Sequence, residues 1–505
     1  MKEYLNILYT HQKKIQIGIL SLFVAVTFYS LSIQFFNAVG ADRYFIAHED
    51  ETIYYGSAQV FSSTGSLQAE SCIDENVSRV GHFNWYGPGY NVIYGTLQLV
   101  FGHSNTLFIK FHFLLALLML VLVLCMPMEV ENKLLIASIL LITEQFTCYI
   151  FSYFPEMLHL FFSTILVFLL IHIYKKEKTE GVGFLVTVYV ALVLIITLCR
   201  VTTIFWMAAI LPLGSNWRQR TPYILIFFLS VAASVIYLRF CTAPPYASGM
   251  HKLQELYSFN LWEFVHQTIR SLVWNFGGMV KSNSTSVYLT LALIIALVFN
   301  FWKTRDKFFL AALFVSACLL GALMAYYTVD VFYFVKQTAM LLPLLLLAFM
   351  RSSSWVLKWS LFFVLLYLWV PVSKKRASVI EDHQAAYVRL TNNNALRSAF
   401  QQLKNVVTPN KDIIILWCYN EFDYGGTAQA LLPYSTTTNN PILYTTNVIF
   451  DHSKPLEEKF KLHHKLPVDY LLSRNPVNWN NLQLVMETPY FYFYKIKQNP
   501  IYSGE

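Results

Sequence analysis

The chain has 505 residues, 56% of them hydrophobic and only 13% charged, with a mean hydropathy of +0.46. Soluble domains carry about a quarter of charged residues, so this composition excludes an ordinary soluble protein and points to a polytopic membrane protein. The net charge of +8 comes from short basic clusters set between apolar segments; it reports on topology, and nucleic acid is not an expected partner.

In chain order, Lys13 and Lys14 precede an apolar run from Ile15 to Phe36. Its 22 residues exceed the roughly 7–15 of a signal-peptide core, so an uncleaved anchor is expected. Directly after it comes "HEDETIYYGSAQ" (48–59), with His48, Glu49, Asp50 and Glu51 in succession. A helix starting near Asp50 aligns Tyr54, Ala58 and Phe61 as an apolar stripe suited to lie on a bilayer. The acids then gather at a helix N-terminus, where capping and dipole compensation explain them as well as chemistry does. Next, "HFNWYGPGYNVIYG" (82–95) joins aromatics to Pro88 between two glycines, and the apolar stretch 87–102 is short and glycine-rich. It is expected to be re-entrant or interfacial.

Apolar runs long enough to be spans fall near 15–36, 107–126, 133–152, 157–174, 183–198, 201–213, 222–241, 287–302, 308–327, 333–349 and 355–370, eleven in all. The clusters "YKKEKTE" (174–180), "NWRQRT" (216–221), "WKTRDK" (302–307) and "MRSSSWVLK" (350–358) belong in the cytoplasm with the N-terminus by the positive-inside rule. Alternation then places 37–87, 242–286 and 371–505 outside. The first of these loops holds Asp42, Glu49, Asp50, Glu51, Glu70, Asp74 and Glu75 against Arg43 and Arg79. The expected division is a membrane part, 1–370, and an external α/β domain, 371–505. In the latter "DIIILWC" and "LPVDYLLSR" read as strands and "YFYFYKI" as an edge strand. Of seven cysteines, Cys125, Cys148, Cys199 and Cys318 read as small hydrophobes, while Cys72 and Cys418 pair or stay as thiols with equal weight.

Ionisable groups in apolar surroundings are the candidate site. In "FSYFPEMLHLFF" (151–162) Pro155 breaks one run and Glu156 opens the next; a charge at the bilayer centre costs about 2.5–3.5 kcal/mol on translocon scales. Arg200 in "TLCRVTTIFW" and Lys336 in "FYFVKQTAMLLP" interrupt apolar stretches near outer ends. Each alone is explained by snorkelling, yet a lipid-linked phosphate also calls for cations at that depth.

The order of these features resembles the GT-C class of glycosyltransferases, nearest the branch of protein O-mannosyltransferases and the aminoarabinose transferase. The motifs that carry it are Asp50-Glu51 with Tyr54 after the first span, "YGPGYNVIYG", "FPEMLHLFFSTILVFLLIHIY" (154–174) and Arg200-Val201-Thr202-Thr203. Departures are the single Pro88 with His82 six residues before it, Glu156 in place of a usual Asp, and Arg200 in place of a more common Lys. The resemblance implies an all-α polytopic fold of about 11–12 transmembrane helices with a small external C-terminal domain. It further implies inverting transfer of a sugar from a polyprenyl-phosphate donor to a lipid, glycan or protein acceptor, outside a bacterial inner membrane. Asp50 is then the general base, and Glu51 and Glu156 orient hydroxyls. Arg200, Lys336 and Arg79 hold the donor phosphate, and Tyr54, Tyr55, His82 and Tyr86 line the pocket. No cofactor is required; a divalent cation is compatible with His48, Glu49, Asp50, Glu51 and Glu156, but no spacing demands a metal. An envelope polysaccharide ligase or polymerase, using Lys252, Arg270 and Lys281 of the loop 242–286, and a lipid or sugar flippase stay open as alternatives.

Overall fold

The computed structural model describes residues 2–40, 43–47, 49–65, 67, 71–72, 87–177, 182–241, 260–281, 284–326, 331–392, 398–399, 402–408, 414–417, 442–445, 469–473, 476–489 and 491–497. Helix α1 (Lys2–Val39) is followed by α2 (Glu49–Thr64), strand β1 (Ser71–Cys72), α3 (Gly89–Phe101), α4 (Leu107–Cys125), α5 (Val130–Ile142) and α6 (Glu144–Thr147). Then come α7 (Glu156–Lys176), α8 (Val182–Thr197), a 3₁₀ helix (Val201–Ile210), α9 (Trp217–Cys241), α10 (Leu261–Lys281), α11 (Thr285–Thr304) and α12 (Lys307–Tyr326). Helices α13 (Val331–Thr338), α14 (Leu342–Ser352) and α15 (Trp355–Asn392) complete the membrane part.

Among the described residues eight helices are long and apolar enough to cross a membrane, or nine if the bent pair Val130–Ile142 and Glu144–Phe151 counts as one span. Eleven apolar runs therefore do not make eleven straight spans. The run 133–152 bends by 67°, the run 183–198 holds the 16-residue α8, and the run 201–213 holds a 3₁₀ helix of 10 residues. At 1.5 Å per residue α8 reaches about 24 Å, short of a hydrocarbon core of about 30 Å. Helix α3, of 13 residues, reaches about 20 Å and is likewise shorter than the hydrocarbon core. Helix α15 continues through Pro371 to Asn392, past the expected domain boundary at 370.

The basic loops meet at one end of the bundle. Lys13 pairs with Glu129 at 3.5 Å, Lys358 donates to Asn132 at 2.8 Å and Trp359 to Glu131 at 3.3 Å. Arg351 pairs with Asp306 at 3.2 Å, and Lys307 pairs with Glu177 and donates to the Gly214 carbonyl. Exposed pairs of this kind contribute little stability; their value is in marking which loops share a side. At the opposite end Ser286 donates to Glu144 at 3.2 Å, Lys375 pairs with Glu144, and the Phe45 amide donates to the His383 carbonyl at 3.2 Å. Residues 43–51 and the end of α15 thus lie together, away from the basic loops. Reporter fusions at Lys176 and Ile380 are expected to fall on opposite sides of the membrane; both on one side would overturn this arrangement.

Among the described residues the C-terminal sheet has six strands, β2 (Ile414–Trp417), β3 (Ile442–Thr445), β4 (Tyr470–Ser473), β5 (Leu482–Glu487) and β6 (Tyr492–Ile496) joined by β1, in the order β1-β3-β2-β4-β6-β5. The expected strands in 412–418 and 466–474 form and pair in parallel. "YFYFYKI" is a strand but not an edge: β6 lies between β4 and β5, antiparallel to both, with Phe493 fully buried. The edge on that side is β5, whose middle residues are exposed. At the other edge Ser71 and Cys72 pair with Ile442 and Leu443, so the loop after α1 joins the C-terminal sheet. Cys418, and with it any bond to Cys72, lies outside the described residues.

Candidate functional site at the non-basic end of the bundle

Helix α2 begins at Glu49, so the acids do fall in its first turn. The stripe Tyr54–Ala58–Phe61, expected to face lipid, instead faces α3. A Cβ on Gly95 would come within 2.8 Å of the Ala58 carbonyl oxygen and 2.5 Å of the Phe61 ring, so only glycine permits this helix crossing. Tyr54 and Ala58 are accordingly buried.

Glu51 is fully buried, and its carboxylate accepts from the Ala47 amide at 3.1 Å, the Tyr153 amide at 2.8 Å and His383 Nε2 at 3.0 Å to each oxygen. An isolated buried carboxylate is costly, and these donors offset that cost. Glu51, expected to orient a substrate hydroxyl, is held in this structure by donors of its own chain. Beside it, the Tyr44 hydroxyl donates to the Phe151 carbonyl. Burial first, then the Glu51 carboxylate, pushes the Tyr44 phenol well above its ordinary pKa.

The Gly-Pro-Gly turn docks α3 onto the end of α8. Gly87 has φ +87°, and a Cβ there would meet the Leu198 carbonyl oxygen at 2.3 Å; one on Gly89 would meet Cys199 Sγ at 2.5 Å. The Gly89 amide donates to the Leu198 carbonyl at 3.0 Å. This close backbone approach carries Tyr90 and Tyr94, one turn apart, into the bundle. Tyr90 hydrogen-bonds His159 through its hydroxyl, and Tyr94 bonds His112 at 2.7 Å, whose other ring nitrogen bonds the Ser152 carbonyl at 2.9 Å.

Pro155 stands immediately before α7, and Glu156 opens the helix. Glu156 Oε1 pairs with Arg200 Nη2 at 2.6 Å, with the side chains 0% and 4% exposed. Arg200 sits in extended backbone just before the 3₁₀ helix, which turns its side chain inward from the end of α8 rather than toward headgroups. Glu156 Oε2 and Arg200 Nε and Nη1 are buried without a protein hydrogen-bond partner. Lys336 in the last turn of α13 is also fully buried, 4.5 Å from the centre of the Phe154 ring and 5.7 Å from that of Tyr54. Cation–π contacts stabilise a desolvated ammonium by about 2 kcal/mol. Tyr54 meets Tyr90 edge-to-face at 5.3 Å, and Arg200 lies within electrostatic reach of both rings. Arg200 and Lys336 both act electrostatically on His159.

The structure thus brings Tyr54, Glu156, Arg200 and Lys336 together from four helices or their ends. Arg200 pairs with Glu156, and Lys336 lies over the Phe154 and Tyr54 rings. Tyr55 is buried and packs on Phe108 and Tyr153. Asp50 is placed in α2 by its backbone, and its side chain, like that of Glu49, lies outside the described residues; His48, Arg79, His82 and Tyr86 lie outside them altogether. Among the described residues no group of three or more His, Cys, Asp and Glu is disposed to hold a metal ion. Sequence reasoning missed His159, Tyr90, Phe154 and His383. His159 had a signal, since it stands three residues after Glu156 and so shares its face of α7; His383, 332 residues from its partner, had none.

No protein-family model matches the chain, and no curated protein matches it. Among solved structures it is similar to the crystal structure of ArnT from Cupriavidus metallidurans bound to undecaprenyl phosphate. The identity is 11% and the TM-score 0.49, over 95% of this chain and 98% of that chain. The likeness carries no argument about residues or chemistry.

Proposed function

We propose that the chain is a membrane glycosyltransferase of the GT-C class that moves a sugar from a polyprenyl-phosphate donor to an envelope acceptor. The observation that carries this reading is the buried Arg200–Glu156 pair, in which Arg200 Nε and Nη1 have no hydrogen-bond partner, with the buried Lys336 close by. Unused guanidinium donors in a buried site suit an anionic group with several acceptor oxygens, and a phosphate is such a group. Its place at the end of the bundle suits a phosphate borne by a lipid whose tail runs along the helices.

The acceptor hydroxyl attacks the anomeric carbon and gives its proton to Asp50, while the carbon–oxygen bond to phosphate breaks and the electron pair stays on the phosphate oxygen. Arg200 and Lys336 stabilise that developing charge; each preorganised donor of this type is typically worth about 10²–10³ in rate. Glu156 holds the guanidinium and does not itself transfer a proton. A single displacement inverts the anomeric configuration. The basic loops at the opposite end of the bundle support an outer-face location for the cluster by the positive-inside rule.

Mass spectrometry of lipid, protein and polysaccharide fractions from cells with and without the gene tests the reading. One fraction is expected to lose a sugar while the polyprenyl-phosphate sugar accumulates. Unchanged sugars in all three fractions would contradict it.

A further inference from the structure

Glu51 and His383 stand outside the cation cluster, and both are fully buried and hydrogen-bonded to each other and to the backbone. The His383 ring is fully buried, stacked on Tyr44 at 4.8 Å between centroids and 6° between planes, and on Tyr153 at 5.7 Å and 20°. Its Nδ1 lies 2.6 Å from the Val379 carbonyl and its Nε2 3.0 Å from both Glu51 oxygens. Both ring nitrogens face acceptors, so both donate, and the pair is an imidazolium against a carboxylate. Three separate parts of the chain end on this pair: the first turn of α2 through Glu51, the segment before α7 through the Tyr153 amide, and α15 through His383.

What lies next to each part gives the pair its purpose. Asp50 precedes Glu51 in sequence, and Tyr54, one turn on, forms one wall for Lys336. Phe154 follows Tyr153 and forms the other wall, and Glu156 comes two residues later with Arg200 on its carboxylate. Since Glu51 bonds the Tyr153 amide directly, a shift of one moves both walls.

We propose that Glu51 and His383 are positioning residues, a clasp by which the distal end of α15 sets the helix of the base and the aromatic seat of Lys336 in register. They touch no substrate. The assignment of a proton-transfer or phosphate task to neighbouring groups rests on the glycosyltransferase reading; the clasp itself rests on geometry alone.

The test uses the full chain in nanodiscs, comparing wild type, His383→Ala and His383→Gln, because the Gln amide reaches about as far as Nε2 and restores one N–H to Glu51. Two readouts are taken: amide hydrogen exchange, and transfer kinetics with a polyprenyl-phosphate sugar. In His383→Ala the amides of Ala47 and Tyr153 are expected to exchange about tenfold faster, with Leu310 at the opposite end unchanged. For the same variant kcat should fall about 10–100-fold, as a displacement near 1 Å does, with donor KM within twofold. His383→Gln should recover most of both. Unchanged exchange at Ala47 and Tyr153, faster exchange at Leu310 as well, or faster local exchange with full kcat each overturns the proposal. If the wild type transfers no sugar, the glycosyltransferase reading fails on that result, and the exchange data alone decide whether the clasp stands.

Discussion

Arg200→Met is expected to lower the stability of the folded chain by about 3–5 kcal/mol, because it leaves a buried carboxylate without its counter-charge. Glu156 is 0% exposed and its second oxygen has no hydrogen-bond partner among the described residues, so Arg200 is the one donor there that its carboxylate loses. The double variant Arg200→Met/Glu156→Met should recover most of that loss, since an apolar pair of similar volume often matches or exceeds a buried ion pair in stability. Transfer should not recover with it. Unfolding midpoints in detergent, read beside sugar transfer for the single and double variants, separate the two roles. A double variant that is both stable and active would show that Arg200 serves packing alone.

Asp50→Asn is the second large effect. The amide keeps the size of the side chain and its place in the first turn of α2, but it takes no proton from an attacking hydroxyl. General-base catalysis is worth about 10²–10⁴-fold, and a loss in that range is expected with the unfolding midpoint close to that of wild type, since the amide is isosteric with the carboxylate. Glu51→Gln provides the contrast. It removes the charge that His383 and two backbone amides address, so its defect should appear in both midpoint and rate. Equal behaviour of the two variants would break the distinction between a base and a clasp.

That the basic loops share one end of the bundle was legible because Lys and Arg mark loops individually: Lys13, Lys307, Arg351 and Lys358 all meet there. The number of spans was not, because hydropathy is blind to direction. The run 133–152 is apolar throughout, yet Thr143 adopts an extended backbone and turns the chain by 67°. Similarly, Arg200 to Ile210 reads as a continuing apolar run and folds as a 3₁₀ helix.

That Tyr54, Glu156, Arg200 and Lys336 are buried near one another was legible because a charge or hydroxyl in apolar sequence must be partnered or functional. The partners of Glu51 were not legible, because Tyr153 and His383 come from distant sequence. In the C-terminal sheet, alternation located β6 but could not order it, since strand order follows from crossovers, and the more exposed β5 took the edge.

The central claim is that the buried cations bind the phosphate from which a sugar departs. Purified chain in nanodiscs, given a polyprenyl-phosphate donor with labelled sugar and an extract of envelope acceptors, measures it directly. The account predicts release of free polyprenyl phosphate matched mole for mole by label on an acceptor in the inverted anomeric configuration, abolished by Asp50→Asn. Donor recovered intact with an active, folded wild-type preparation, or label appearing with retained configuration, would contradict it.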